Sequence, residues 1–225
     1  MLPQIYPTAL AENGRPRIRT FHGRRGRLSV TRLEAFENLV PKYSLDVTEQ
    51  EIDLRKVFNN QEIYLDFGCG MGGHTIDLLN HGKSVVAIDV HTAGICDLAQ
   101  FAHLQNLDSM RLFHGDGIDL LNKLSKKSIH QIDLYFPDPW PKARHAKRRL
   151  FTNQFLTLAH QVLVDHGRIV LITDDDDYAQ MAAQIIAEQS IFQLVPFSQS
   201  VTMTSFHRRA LKLGHQIHKF ELIRK

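Results

Sequence analysis

At 225 residues, with 43% hydrophobic and 23% charged residues, the chain has the make-up of one large globular domain, which excludes the disordered and membrane-embedded classes. The formal net charge of +3 names no partner, but its placement is uneven: six arginines and no acid lie between Arg15 and Arg27, whereas Asp174 to Asp177 is an unbroken acidic run. Two cysteines without C-x-x-C spacing, Cys69 and Cys96, argue against a disulfide scaffold or a Cys-rich zinc site, and no apolar run approaches the roughly 20 residues of a membrane span. With no secretory leader in residues 1–10, a soluble, cytoplasmic protein is expected.

Residues 1–30 lack periodicity and contain Pro3, Pro7, Gly14, Pro16, Gly23 and Gly26, so they read as a basic, flexible arm ahead of a single domain over 31–225. From Thr31, Leu33, Phe36, Leu39 and Val40 fall at helical spacing, and Pro41 reads as the terminator. Strands are predicted over 63–67, 84–90, 110–114, 131–136 and 168–173. Helices are predicted between and after them, over 75–80, 94–105, 118–124, 153–164 and 178–189. Strict alternation of the two implies an α/β fold with a mostly parallel sheet, helices on both faces, and ligands at the carboxyl ends of the strands. Two strand-like pieces between Ile191 and Leu222 suggest an antiparallel edge near the C-terminus.

The first predicted strand runs into Asp66-Phe-Gly68-Cys-Gly70-Met-Gly72-Gly73, which fits G-x-G-x-x-G through Gly68, Gly70 and Gly73. Glycines there let a ligand approach the backbone closely, and Asp89, about twenty residues on, can accept hydrogen bonds from both hydroxyls of a ribose. An adenosine cofactor is implied, either NAD or S-adenosylmethionine. Asp66 is placed for an ammonium and would repel a pyrophosphate, and Gly115-Asp116 is placed for an adenine, which together favour S-adenosylmethionine over an NAD-dependent oxidoreductase.

The fourth predicted strand ends in Pro137-Asp138-Pro139-Trp140-Pro141, where three prolines in five residues stiffen the active edge of the sheet. Asp138 is thereby held with little freedom. Trp140, the single tryptophan, is either a stacking surface for a base or a core side chain. Lys142, Arg144, His145, Lys147, Arg148 and Arg149 follow as a dense cationic run suited to phosphate contacts. In the acidic run, the later acids read as caps of the next helix, and Asp174 alone is taken as a site residue. Thirteen histidines fall into no metal-type pattern, so no metal is predicted.

The run Tyr135 to Arg149 resembles the hallmark of bacterial tRNA (guanine-N7)-methyltransferases, class I S-adenosylmethionine-dependent enzymes of Rossmann-like fold acting on a guanine of the tRNA variable loop. Similarity extends to Gly23-Arg-Arg-Gly-Arg-Leu28, the glycine loop, Asp89-Val-His91, Thr173-Asp174, Thr204-x-Phe206 and Leu213-Gly-His215. The resemblance implies that Asp66, Gly68, Gly70, Asp89 and Asp116 bind the cofactor. It implies that Asp138 is catalytic and that Lys142, Asp174 and Thr204, with Arg144, Arg148 and Arg149, meet a tRNA partner. A monomer or homodimer is expected. The chain departs from the pattern at Asp66 and Asp89, where the family more often has glutamate, and at His207, where Thr-x-Phe-Glu would place one. A divergent or non-catalytic RNA-binding relative is the alternative that His207 raises.

Overall fold

Five parallel strands form the centre of the molecule: β1 (Ile63–Phe67), β2 (Ser84–Asp89), β3 (Met110–His114), β4 (Ile129–Tyr135) and β5 (Leu163–Thr173). The computed structural model describes residues 19–21 and 27–225, so the arm expected over residues 1–30 lies largely outside the described residues. The sheet has the order β3-β2-β1-β4-β5-β7-β6. Its last two strands, β6 (Phe192–Val195) and β7 (His218–Arg224), are antiparallel, as expected. The order in which successive strands are added reverses between the parallel strands β1 and β4, and the doubly wound architecture opens a crevice at their carboxyl ends there.

The connecting helices are α4 (Gly73–Asn80), α5 (Thr92–Leu104), α6 (Gly117–Leu121), α7 (Asn153–Val162) and α8 (Asp176–Glu188). Each lies within a few residues of its prediction. Two cores form on the two faces of the sheet. The larger joins Leu65, Phe67, Ile132, Leu134, Phe151 and Phe155 to α7 and α8, and the smaller joins Val85, Ala87 and Leu112 to α5. These strands are apolar on both faces because both are covered.

The helix expected near residue 31 is α1 (Val30–Asn38). Pro41 does not end it; it sits in the first turn of a second short helix, α2 (Val40–Tyr43), where a missing N–H costs nothing. Arg32 grips Asp97 of α5 through two hydrogen bonds of 2.7 and 2.8 Å, docking α1 beside the smaller core. Three elements lie outside the sequence reading: α3 (Leu54–Val57), a 3-10 helix over Ala143–Arg148, and α9 (Ser205–Lys212). The predicted helix over 153–164 ends at Val162, because β5 starts at Leu163. An irregular stretch then intervenes, so that Ile129 pairs Leu163 while Gln131 pairs Arg168.

Candidate active site

A cleft opens over the carboxyl ends of β1 to β4. Gly68 and Gly70 form one wall, Asp89 and Asp116 a second, Asp138 a third, and Phe206 closes the side facing α9. Four loops that are distant in sequence meet there, as the crevice rule requires.

The floor is built by the glycine loop. Gly68 and Gly70 adopt φ of +75° and +56°, in the left-handed region that side chains resist, and a Cβ at Gly68 would meet nothing within 4 Å. That open space beside exposed backbone is a cradle for a ligand. Asp89 sets the loop from the neighbouring strand: its Oδ2 accepts from the Gly70 N–H at 2.7 Å and its Oδ1 from the His91 N–H at 2.8 Å. Burial raises the Asp89 pKa, and these backbone donors oppose the rise. Asp116 caps α6 by accepting from the Ile118 N–H at 3.1 Å and stands on the cleft wall.

Asp66 of β1 is 1% exposed, and its Oδ2 accepts a 2.5 Å hydrogen bond from the Thr75 hydroxyl. Burial pushes its pKa up, against the nearby charge of His74 and the Thr75 hydrogen bond. The side chain thereby braces the start of α4.

The proline-rich loop is rigid for more reasons than its prolines. Phe136 and Trp140 flank Pro137-Asp138-Pro139 with φ of +53° and +48°, a conformation costing roughly 1–2 kcal/mol per residue. Several contacts hold it. The Phe136 N–H donates to the Ile172 carbonyl at 2.8 Å, and Arg149 Nε donates to the Pro139 carbonyl at 2.8 Å. Trp140 is 3% exposed, donates from Nε1 to the Thr20 carbonyl at 3.2 Å, and lies under the Arg148 guanidinium at 4.8 Å. Of the two readings of Trp140, packing is therefore the correct one. Asp138 itself is exposed and faces the cleft.

The cationic run divides. Lys142 and Arg144 are exposed, as is Lys147, on and beside the 3-10 helix. Arg148 and Arg149 are half-buried: Arg148 covers Trp140, and Arg149 bonds Pro139 and stacks at 5.6 Å over Tyr178. As placed, those two arginines hold the loop. Thr204 is the N-cap of α9, accepting from the His207 N–H at 3.2 Å, and Phe206 two residues on lines the cleft. Asp174 accepts from His215 Nδ1 at 2.9 Å, which joins two motif fragments 41 residues apart at the end of β5. The later acids cap α8 as expected, with Asp175 accepting from the Tyr178 N–H at 2.8 Å.

Sequence reasoning missed Thr20, Phe21, Met71 and Phe206 on the cleft. Met71 and Phe206 stand inside the glycine loop and the Thr204-x-Phe206 motif, where no role was read for them, and Thr20 and Phe21 lie in a basic stretch without periodicity. His207 is buried, does not line the cleft, packs 5.7 Å from Phe136 and donates from Nδ1 to the Thr202 carbonyl at 3.4 Å.

Residues 60–220 match a family described as "Putative methyltransferase". The fold is shared with an rRNA methylase from Streptococcus thermophilus at a TM-score of 0.52 and 16% identity, over 76% of this chain and 91% of that one. Fold and family together define a methyltransferase with a Rossmann-like sheet. Among curated proteins, the chain is 34% identical to the tRNA (guanine-N(7)-)-methyltransferase of Nitrosomonas eutropha over 211 residues, covering 90% of this chain and 94% of the relative. It is also 34% identical to that of Streptomyces avermitilis, covering 89% and 73%. The chain belongs to the tRNA (guanine-N(7)-)-methyltransferase family. No helix among the described residues is long and apolar enough to cross a membrane.

Proposed function

We propose that the chain transfers a methyl group from S-adenosylmethionine to N7 of a guanine in tRNA, in the variable loop, with its own residues acting chiefly by positioning. The observation that carries this reading is the convergence of Asp89, Asp116 and the open Gly68–Gly70 cradle with a rigid, cleft-facing Asp138 in one crevice.

The donor set fits the cofactor. Asp89 would take the ribose hydroxyls, Asp116 the adenine edge, and the Gly68–Gly70 backbone the chain between them. Bound S-adenosylmethionine supplies an electrophilic methyl on a positively charged sulfur. The chain supplies what surrounds it. Guanine N7 is a hydrogen-bond acceptor with a free lone pair, so no residue has to remove a proton before attack. Holding the base in line is then the main contribution, on the order of several kcal/mol. The doubly strained, multiply anchored proline loop can hold Asp138 to that tolerance. Its carboxylate would stabilise the positive charge that grows on the base and accept from guanine N1–H and N2–H, which adenine lacks at those positions.

Lys142, Arg144 and Lys147, exposed at the cleft's edge, would take phosphates, and the six arginines of residues 15–27 would extend that field along the RNA. Asp174, paired with His215, follows β5, the sheet neighbour of the strand that Asp138 follows. The direct test is transfer of a tritiated methyl group to unmodified tRNA, followed by mapping of the modified base. Label at guanine N7 in the variable loop is expected. Stable tRNA binding without label would instead establish the non-catalytic reading.

A further inference from the structure

Between the central strands and α4 lies a buried polar group. Asp66 of β1 and Asp133 of β4 are direct partners on adjacent central strands, 1% and 0% exposed. Two carboxylates so placed repel each other and need a cation between them. His74, in the first turn of α4 and 5% exposed, is the side chain that meets them, its ring stacked on Tyr135 at 3.9 Å and 17°.

The hydrogen bonds fix its protonation. Thr202 has one hydroxyl proton, which it gives to Asp77 Oδ2 at 2.7 Å. The 2.9 Å contact between the Thr202 hydroxyl and His74 Nδ1 must therefore be donated by the ring. At the other nitrogen, Nε2 stands 3.0 Å from Asp133 Oδ2, while Asp133 Oδ1 accepts from Gln131 Nε2 at 2.8 Å. A carboxylate accepts at both oxygens, so Nε2 donates as well. Both ring nitrogens carry protons and the ring is an imidazolium. Burial alone would drive that proton off; the hydrogen bond to Asp133 and the charges of Asp66, Asp133 and Asp77 outweigh it and hold the pKa at about 9.

Thr202 is the start of a short segment that reaches the cleft. Its side chain is held by His74 and Asp77, and its carbonyl accepts from His207 Nδ1 at 3.4 Å and from the Thr204 N–H at 2.9 Å. Thr204 caps α9, and Phe206 in the first turn forms the cleft wall, its Cε2 3.6 Å from where a Cβ on Gly70 would stand. We infer that His74 is a positioning residue for methyl transfer: its two N–H groups tie Thr202 to Asp133, which fixes the Thr202–Phe206 segment and so the aromatic wall against which the target base is seated. This rests on the methyltransferase reading above. It assigns His74 no contact with cofactor or RNA.

Every group facing the ring takes part: Asp66 from β1, Asp133 and Tyr135 from β4, Asp77 from α4 itself, and Thr202 from the loop. Loss of either ring proton breaks one arm of the tie, so turnover should fall as pH rises through about 9 while cofactor affinity stays level. The test compares wild type, His74→Gln and Thr202→Val. Methyl transfer to unmodified tRNA is followed from pH 7 to 10, S-adenosylmethionine binding by calorimetry, and the ring by NMR of histidine labelled with ¹⁵N. Expected are a kcat about tenfold lower in both variants, a cofactor Kd within about twofold of wild type, no alkaline limb in His74→Gln, and two protonated His74 nitrogens in wild type at pH 7.5. A neutral His74 at that pH overturns the proposal, as does a His74→Gln enzyme with wild-type kcat and pH profile, or one that loses cofactor affinity in parallel with kcat. If His74→Gln does not fold, Thr202→Val and the NMR spectrum decide the matter. Failure of wild type itself to methylate tRNA would sink the functional reading instead, and the spectrum would still report on the ring.

Discussion

Gly94→Ala is the most demanding perturbation of the cofactor cradle, because the obstacle is backbone. A Cβ at Gly94, in the first turn of α5, would lie 1.6 Å from the Gly70 carbonyl oxygen and 3.4 Å from His91 Nδ1. Ordinary carbon–oxygen contact needs about 3.2 Å, so the helix or the glycine loop must give way by roughly 1.6 Å. The loop cannot move freely, since the Gly70 N–H is bound to Asp89 at 2.7 Å. Overpacking costs about 1–3 kcal/mol, and loss of a hydrogen bond to a charged group about 1.5–3 kcal/mol. At roughly 2–4 °C per kcal/mol for a domain of this size, Tm should fall by about 5–24 °C. The displaced loop should also weaken S-adenosylmethionine binding at least tenfold, on the order of 1.4 kcal/mol. Calorimetric titration and thermal unfolding measure both. A variant with wild-type Kd and a Tm within a degree or so would show that α5 does not buttress the cradle.

Asp138→Ala should lower methyl transfer by about 100-fold or more while cofactor affinity holds; parallel loss of both would remove Asp138 from the substrate side. The Lys142→Ala, Arg144→Ala double variant should bind tRNA with a salt slope shallower by up to about 2, and an unchanged slope would rule out phosphate contact. Arg149→Ala should leave that slope alone and instead destabilise the fold by about 1–3 kcal/mol, seen in urea unfolding, because it frees the Pro139 carbonyl and uncovers Tyr178. Burial alone would raise the Glu221 pKa, but the Ser198 N–H and hydroxyl, Gln199 and Arg168 outweigh it and lower it. A lowered folded pKa stabilises above the unfolded value near 4.3 and is lost as pH falls through the folded one. Wild type should therefore lose stability on acidification from about pH 5 downward, and Glu221→Gln should flatten that loss in urea titrations at stepped pH; equal acid sensitivity would exclude Glu221 as its source.

Strands β1 and β3 fall on the predicted residues because each is a short apolar run closed by a change of composition, and both faces of the sheet are covered. Elements that escaped the sequence have no such signal. In α9, Ser205–Lys212, only His207 and Ala210 are buried, so an apolar stripe never develops, and the helix exists because Thr204 caps it against the loop. The 3-10 helix over Ala143–Arg148 buries nothing fully and is fixed from outside by Trp140. The early part of β5 was hidden because the irregular stretch at His166, with φ of +63°, breaks the alternation before Arg168.

The cleft was legible where its lining sits just past a strand end, at Asp89, Asp116 and Asp138, and illegible where a side chain's place depends on a distant partner. Composition could not tell Arg144, turned to solvent, from Arg149, turned inward to Pro139. His74 drew no notice inside the glycine motif because its meaning comes from Asp133 and Thr202, 59 and 128 residues away. The same dependence accounts for His207, where the family pattern has an acid. In this chain the residue faces the Thr202 carbonyl, an acceptor, and packs on Phe136. A carboxylate there would set acceptor against acceptor in a buried place, an unfavourable contact, whereas the imidazole N–H completes the grip on Thr202. The departure from the pattern thus belongs with His74: two histidines hold one threonine, one by its hydroxyl and one by its carbonyl.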